Sequence, residues 1–157
     1  MAKKVSRRTG NRRLLKLAAL LLADAKNKKG IKFDIGTVAR VADPTKKEVP
    51  LNCGTTACAM GLAAISGAFK KQGLTAKFSN ESYEDNSLWC AWNGRIRDYD
   101  RTAMSLFGIT QDQANYLFSP WTYHYDKKTG ARGEKEVVRR IHRVVEGKPI
   151  PKDPSIW

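Results

Sequence analysis

Histidine is scarce in this chain: among 157 residues only His124 and His142 carry an imidazole. A mechanism that needs a histidine base therefore has two places to start, and His142 falls on a basic helical stripe, which leaves His124. Cysteine is almost as sparse, with Cys53, Cys58 and Cys90. An odd count closes no disulfide framework and fits a reducing cytoplasm. There is no Cys-x-x-Cys pair to seed a metal centre. No run approaches the ~20 apolar residues of a membrane span, so no membrane partner is expected. Residues 17–23, with basic residues before them and Ala23-Asp24-Ala25 after, mimic a secretory signal, but the run is short and the expected location is the cytoplasm. Internal repeats, low-complexity blocks and the patterns of helix-turn-helix, RNA-recognition and zinc-finger modules are missing as well. Sequence-specific base readout is therefore unsupported.

Negative charge is the largest deficit, since 29 Lys and Arg face 15 Asp and Glu, a formal net charge of +14. Such an imbalance favours a polyanionic partner, DNA or RNA first. Up to Gly30 the cations Lys3, Lys4, Arg7, Arg8, Arg12, Arg13, Lys16, Lys26, Lys28 and Lys29 are answered only by Asp24. Two readings stand side by side: a solvated tail that aids solubility, or an arm that contacts phosphate.

What is present divides into a basic arm (1–10), one globular domain (11–147) and a proline-rich tail (148–157). From Asn11, Leu14, Leu15, Ala18, Leu21, Leu22 and Ala25 recur at helical spacing, with Gly30 as a stop. Residues 31–35 read as a short extended piece and 36–50 as a loop. In 51-LNCGTTACAMGLAAISGAF-69 a central helix is expected, capped by Asn52 or Cys53, with Thr55 and Thr56 in its first turn. Alternation then predicts strands over 75–78 and 87–92. A helix follows over 100–107, closed by Gly108, and Thr110-Gln111-Asp112-Gln113 has the spacing of a capping box. Residues 121–133 read as an aromatic and basic loop carrying Trp121, Tyr123 and His124. A last helix over 134–146 would bury Val137, Val138, Ile141, Val144 and Val145 and present Lys135, Arg139, His142 and Arg143 outward. Ile156 and Trp157 could pin the tail back onto the domain. The class is α+β, mainly helical, with four to five helices and a small antiparallel sheet of two or three strands.

Three chemistries compete for Cys53. As a thiolate at a helix N-terminus it could be a nucleophile with His124 as its base, but the surrounding residues carry no papain-like signature and no recognisable oxyanion donor. As a zinc ligand with Cys58, Cys90 and His124 it is poorly placed, because five helical steps of about 100° put Cys53 and Cys58 about 140° apart. The plainer account is packing: Gly54, Ala57, Gly61, Ala64 and Ala68 form a narrow face that another element can approach closely. No cofactor is expected.

Phe33-Asp34-Ile35, then Cys53-Gly54-Thr55-Thr56-Ala57-Cys58-Ala59-Met60-Gly61-Leu62-Ala63, then 106-LFGIT-110 leading to Ala114 and Leu117-Phe118, form a pattern. It resembles an uncharacterised family of small phage and bacterial proteins with FDM, CGTxACxxGxA and LGLxxxxAxxLF segments. The resemblance spans about 33–146 and implies an intracellular protein, phage-encoded in some members, whose cytoplasm would be the host's. It implies no activity, and the long basic start departs from the pattern.

The reading these observations support is a non-enzymatic binder of nucleic acid or of a nucleoprotein assembly. Lys3, Lys4, Arg7, Arg8, Arg12, Arg13, Lys16, Arg139 and Arg143 would contact phosphate, and Trp121 and Tyr123 would stack on bases. The alternatives are a protein–protein inhibitor or structural component acting on a host protein through the aromatic loop, and a cysteine hydrolase using Cys53.

Overall fold

A computed structural model describes residues 4–27, 29–41, 54–78 and 87–152 of the chain. The first helix, α1 (Arg7–Lys26), starts where the Ser6 hydroxyl accepts a hydrogen bond from the Thr9 amide at 3.3 Å. Helix therefore claims Arg7 to Gly10, which the sequence assigns to an arm. Apolar periodicity has nothing to read there, because residues 7–13 contain no large apolar side chain. Leu14, Leu17, Ala18 and Leu21 are buried along the inner face. A Cβ on Gly10 would stand 1.9 Å from the Phe107 carbonyl oxygen, so α1 crosses the end of α3 (Tyr99–Phe107) in direct backbone contact.

The sheet is larger than the sequence suggests and is mixed. Among the described residues it has six strands: β1 (Lys32–Phe33), β2 (Ala39–Val41), β3 (Thr55–Ala57), β4 (Leu74–Phe78), β5 (Ser87–Trp92) and β6 (Arg95–Ile96). Their order is β1-β3-β2-β5-β4, with β6 on β5. The β1–β3 pair is parallel and the others antiparallel. β4 and β5 fall where alternation places them. β2 and β3 are three residues each, too short for a period-two signal, and they owe their conformation to one another.

Thr55 and Thr56 thus lie in a strand and not in a first helical turn. The central helix, α2 (Ala59–Ile65), begins later and is capped by Cys58, whose Sγ accepts from the Gly61 amide at 3.4 Å. Neither Gly54 nor Ala57 belongs to the helix, so the run of small residues is not one helical face. The close approach foreseen at Gly61 is real: a Cβ there would fall 1.4 Å from the Val38 carbonyl oxygen. α2 covers one face of the sheet, where the Cys90 thiol of β5 donates to the Met60 carbonyl at 3.8 Å.

α3 stops at Gly108, and α4 (Gln111–Phe118) carries the complete capping box between Thr110 and Gln113. Phe107 links two other rings within the core, 5.9 Å from Phe69 and 6.0 Å from Phe118 between ring centroids. Residues 120–122 and 125–127 form single helical turns, and α5 (Gly130–Val145) starts four residues before Glu134. It buries Val137, Val138, Ile141 and Val144 as its pattern requires. Ile150 packs partly on the core, while Ile156 and Trp157 lie outside the described residues. The whole is a single α+β domain, and among the described residues no helix is long and apolar enough to cross a membrane.

α1 and α5 run antiparallel. At one end Asn11 Nδ2 donates to the Val145 carbonyl at 3.4 Å, and at the other Glu134 meets Asp24. Glu134 is 2% exposed, and burial, followed by the hydrogen bond and charge of Asp24, pushes its pKa up to about 8. A carboxyl whose folded pKa lies above its unfolded value of ~4.3 adds stability at low pH and loses it as pH rises toward the folded value. Stability should accordingly fall by a few kcal/mol between about pH 5 and pH 9. Glu134→Gln should flatten that decline in urea titrations across the range. An unchanged slope would refute the assignment.

Candidate nucleic-acid interface

The antiparallel pairing gathers the N-terminal half of α1 and the C-terminal end of α5 at one end of the molecule. Residues 4–16 and 142–148 hold Lys4, Arg7, Arg8, Arg12, Arg13, Lys16, Arg143 and Lys148 against a single carboxylate, Glu146. Lys148 engages that carboxylate at 2.6 Å. Arg7 stands by Gly147, at the negative end of the α5 dipole, which favours its charge. Arg7 and Arg8 also occupy the first turn of α1, where no acidic residue answers the positive end of that helix. Like charge on a helix N-terminus costs a few tenths of a kcal/mol per residue, and an anion bound there would relieve it.

The candidate phosphate contacts separate into two groups. Lys4, Arg7, Arg8 and Arg12 are exposed. Arg13 is half-buried, donating from Nη1 to the Leu106 carbonyl at 2.6 Å, and its pKa is lowered by burial first and by Arg12 second. Lys16 donates to the Ala68 carbonyl at 2.7 Å and lies 5.2 Å from the Phe69 ring centroid. Arg139 is tied to Glu136 by two hydrogen bonds, of 2.8 and 2.6 Å. Arg143 donates from Nε to the Pro149 carbonyl at 2.8 Å. These four already serve the fold, so the first group is the better placed for a partner. Lys3 lies outside the described residues.

The two candidate stacking groups also part company. Trp121 is 84% exposed, with Lys128 Nζ 6.0 Å from its ring. Tyr123 is buried, its hydroxyl donating to the Leu117 carbonyl, and it cannot stack on a base. Above its ring, 3.7 Å from the centroid, lies the guanidinium of Arg140, a residue the sequence did not mark. Arg140 is 1% exposed: Nε donates to Glu136 at 2.9 Å, Nη1 to the Tyr116 carbonyl at 2.7 Å and to Thr122 Oγ1 at 2.9 Å, and Nη2 to the Thr122 carbonyl at 2.5 Å. Burial alone would raise the Glu136 carboxyl, but hydrogen bonds from Arg139 and Arg140 outweigh it and hold its pKa below the ordinary value. The start of the segment between α4 and α5, at Thr122 and Tyr123, is thus anchored from α5 through a buried cation.

Cysteine chemistry finds no support in the described residues. Cys58 is buried as the α2 cap, and burial pushes its thiol up to about 11, far from thiolate. Burial raises the Cys90 thiol further. His124 is exposed and engages the Asp126 carboxylate instead of a thiol. No three His, Cys, Asp or Glu side chains converge into a metal site among the described residues. Cys53, the candidate nucleophile, lies outside them.

β5 carries two aromatics, Trp89 and Trp92, to which the sequence assigns no role beyond the strand. Trp89, 41% exposed, stands on the sheet face away from α2, directly opposite Lys77 of β4. Trp92, three residues on, faces the other way, toward α3 and the start of α1. The register of β5 was the available signal, since alternation sends these two positions to opposite faces. The chain matches no known protein family, no curated protein and no solved structure.

Proposed function

We propose that the protein binds nucleic acid, without catalysis, through the basic end formed by α1 and α5. The observation that carries this reading is the placement of Lys4, just ahead of α1, and of Arg7, Arg8 and Arg12 in its first turns, all exposed in a region with a single carboxylate. Phosphate contacts release counterions, so affinity must fall with salt. Raising salt from about 50 to about 200 mM should weaken binding of a single-stranded oligonucleotide by about fifty-fold if four phosphates are contacted. Fluorescence anisotropy reads this directly, and Arg8→Glu with Arg12→Glu should lower affinity at least about tenfold and flatten the salt slope. A flat salt response in the wild type would end the proposal. The expected setting is a nucleoprotein assembly in a cytoplasm, as the phage and bacterial resemblance suggests.

One observation favours a second reading. Trp121 and Tyr125, 84% and 87% exposed, are the most exposed large apolar side chains among the described residues and lie in one segment beside Lys127 and Lys128. An aromatic pair of this kind is suited to a protein partner with an acidic rim. Trp121→Ala with Tyr125→Ala would leave oligonucleotide binding unchanged if that reading holds, and would abolish capture of the protein partner after nuclease treatment.

A further inference from the structure

A cleft of about 580 Å³ opens where the residues preceding α1 meet α3 and the end of β5. Its walls include the apolar surfaces of Trp92, Met104 and Ile109, and three cations, Lys4, Arg13 and Arg97; among the described residues no carboxylate lines it. Each guanidinium is anchored through one nitrogen, Arg13 to the Leu106 carbonyl at 2.6 Å and Arg97 to Ser105 Oγ at 3.3 Å. A guanidinium has five N–H groups in a planar fork, so most of each donor set remains for an anion. The cleft adjoins the exposed Arg7, Arg8 and Arg12 through Lys4, which belongs to both.

The chemistry that matches such a cleft is a flat, largely apolar body bearing negative charge at its edge. A nucleotide has that form, and the volume lies within the range of sites that enclose a molecule of this size. In a duplex the bases are paired and stacked, so their faces are hidden and only phosphates, sugars and groove edges are open to a protein. An unpaired base, by contrast, can be splayed from its strand and laid on an aromatic ring. We propose, resting on the nucleic-acid reading above, that this cleft seats one unstacked base of a single strand against the Trp92 indole, with the adjoining phosphate held by Lys4 and Arg97. The basic end then follows the strand on either side of the seated nucleotide. The protein is in this respect a reader of single-strandedness, not of sequence.

The test compares three probes of equal phosphate number by anisotropy: a thymidine oligomer, the same oligomer with abasic sugars, and a duplex. The wild type should bind the thymidine oligomer about tenfold more tightly than the abasic strand. Trp92→Leu should erase that difference by lowering affinity for the thymidine oligomer to that for the abasic strand. Because Trp92 also packs partly on the core, Ser105→Trp, which fills the cleft from α3, should also erase the difference in a protein whose melting is checked in parallel, while lowering abasic affinity because it removes the anchor of Arg97. Equal binding of thymidine and abasic strands by the wild type would overturn the inference while leaving the nucleic-acid reading intact. Thymidine monophosphate binding as tightly as the oligomer would replace the strand with a free nucleotide. Absence of salt-dependent binding to all three probes would overturn both readings together.

Discussion

Arg140→Ala should destabilise the protein by about 3–5 kcal/mol, the range for removing one member of a buried charge pair. The loss has three parts. Glu136, 6% exposed, would keep Arg139 but lose its inner partner. The Tyr116 and Thr122 carbonyls and the Thr122 hydroxyl would lose their donor. The space between the Tyr116 and Tyr123 rings, 4.7 and 3.7 Å from the guanidinium, would empty. Urea denaturation reads the sum, and Arg140→Lys should recover little, since a point charge cannot replace a planar fork that bonds in three directions. A cost below about 1 kcal/mol would show that the network is incidental. The same Glu136 carboxylate, depressed in pKa, contributes stability above its unfolded value and loses it as pH falls through the folded one. It therefore acts in the opposite pH sense to Glu134, two residues away.

Gly61→Ala should be the other severe substitution, costing several kcal/mol or preventing folding outright. The atom it would strike, the Val38 carbonyl oxygen at 1.4 Å, is backbone and cannot rotate aside. Val38 is itself held in place, because the Cys58 amide donates to the Thr37 and Val38 carbonyls at 2.6 and 3.3 Å. Gly67→Ala supplies the control: its φ of +70° is unfavourable for alanine, but nothing lies within 4 Å, so the cost should stay near 1–2 kcal/mol. Thermal melts followed by circular dichroism would separate the two variants. Equal melting temperatures would mean that α2 can move away from the sheet.

What the sequence revealed was whatever is decided locally. The Thr110 to Gln113 box, the alternation of β4 and β5 and the valine stripe of α5 depend on residues within a few positions of one another, and each is found where the pattern places it. Elements that need distant partners were hidden. Thr55 to Ala57 looks like the start of a helix until β1 and β2 are present to pair with it, and the cap then moves to Cys58. Charge misled for the same reason. Arg139 and Arg140 are identical neighbours in the chain, yet one is exposed and the other is the largest fully buried side chain among the described residues, a distinction made by Tyr116, Thr122 and Tyr123. The candidate site was legible as a cationic start to the chain. Its partner surface at the end of α5, and the cleft beside Trp92, required the antiparallel seating of α1.

That seating changes what a protease should see. Arginine- and lysine-rich N-termini are ordinarily the first places trypsin cuts, because a tail enters the protease cleft in extended form. Here Arg7, Arg8, Arg12 and Arg13 lie in a helix whose Gly10 rests on the Phe107 carbonyl, so cleavage between them requires α1 to detach from α3. Digestion at these sites should therefore follow the opening of the domain and not precede it. A truncated chain beginning at Asn11 would lack the Ser6 cap and the Gly10 contact as well as Lys4, Arg7 and Arg8. Its loss of binding would report a loosened domain as much as a missing charge, which makes surface charge reversal the cleaner instrument.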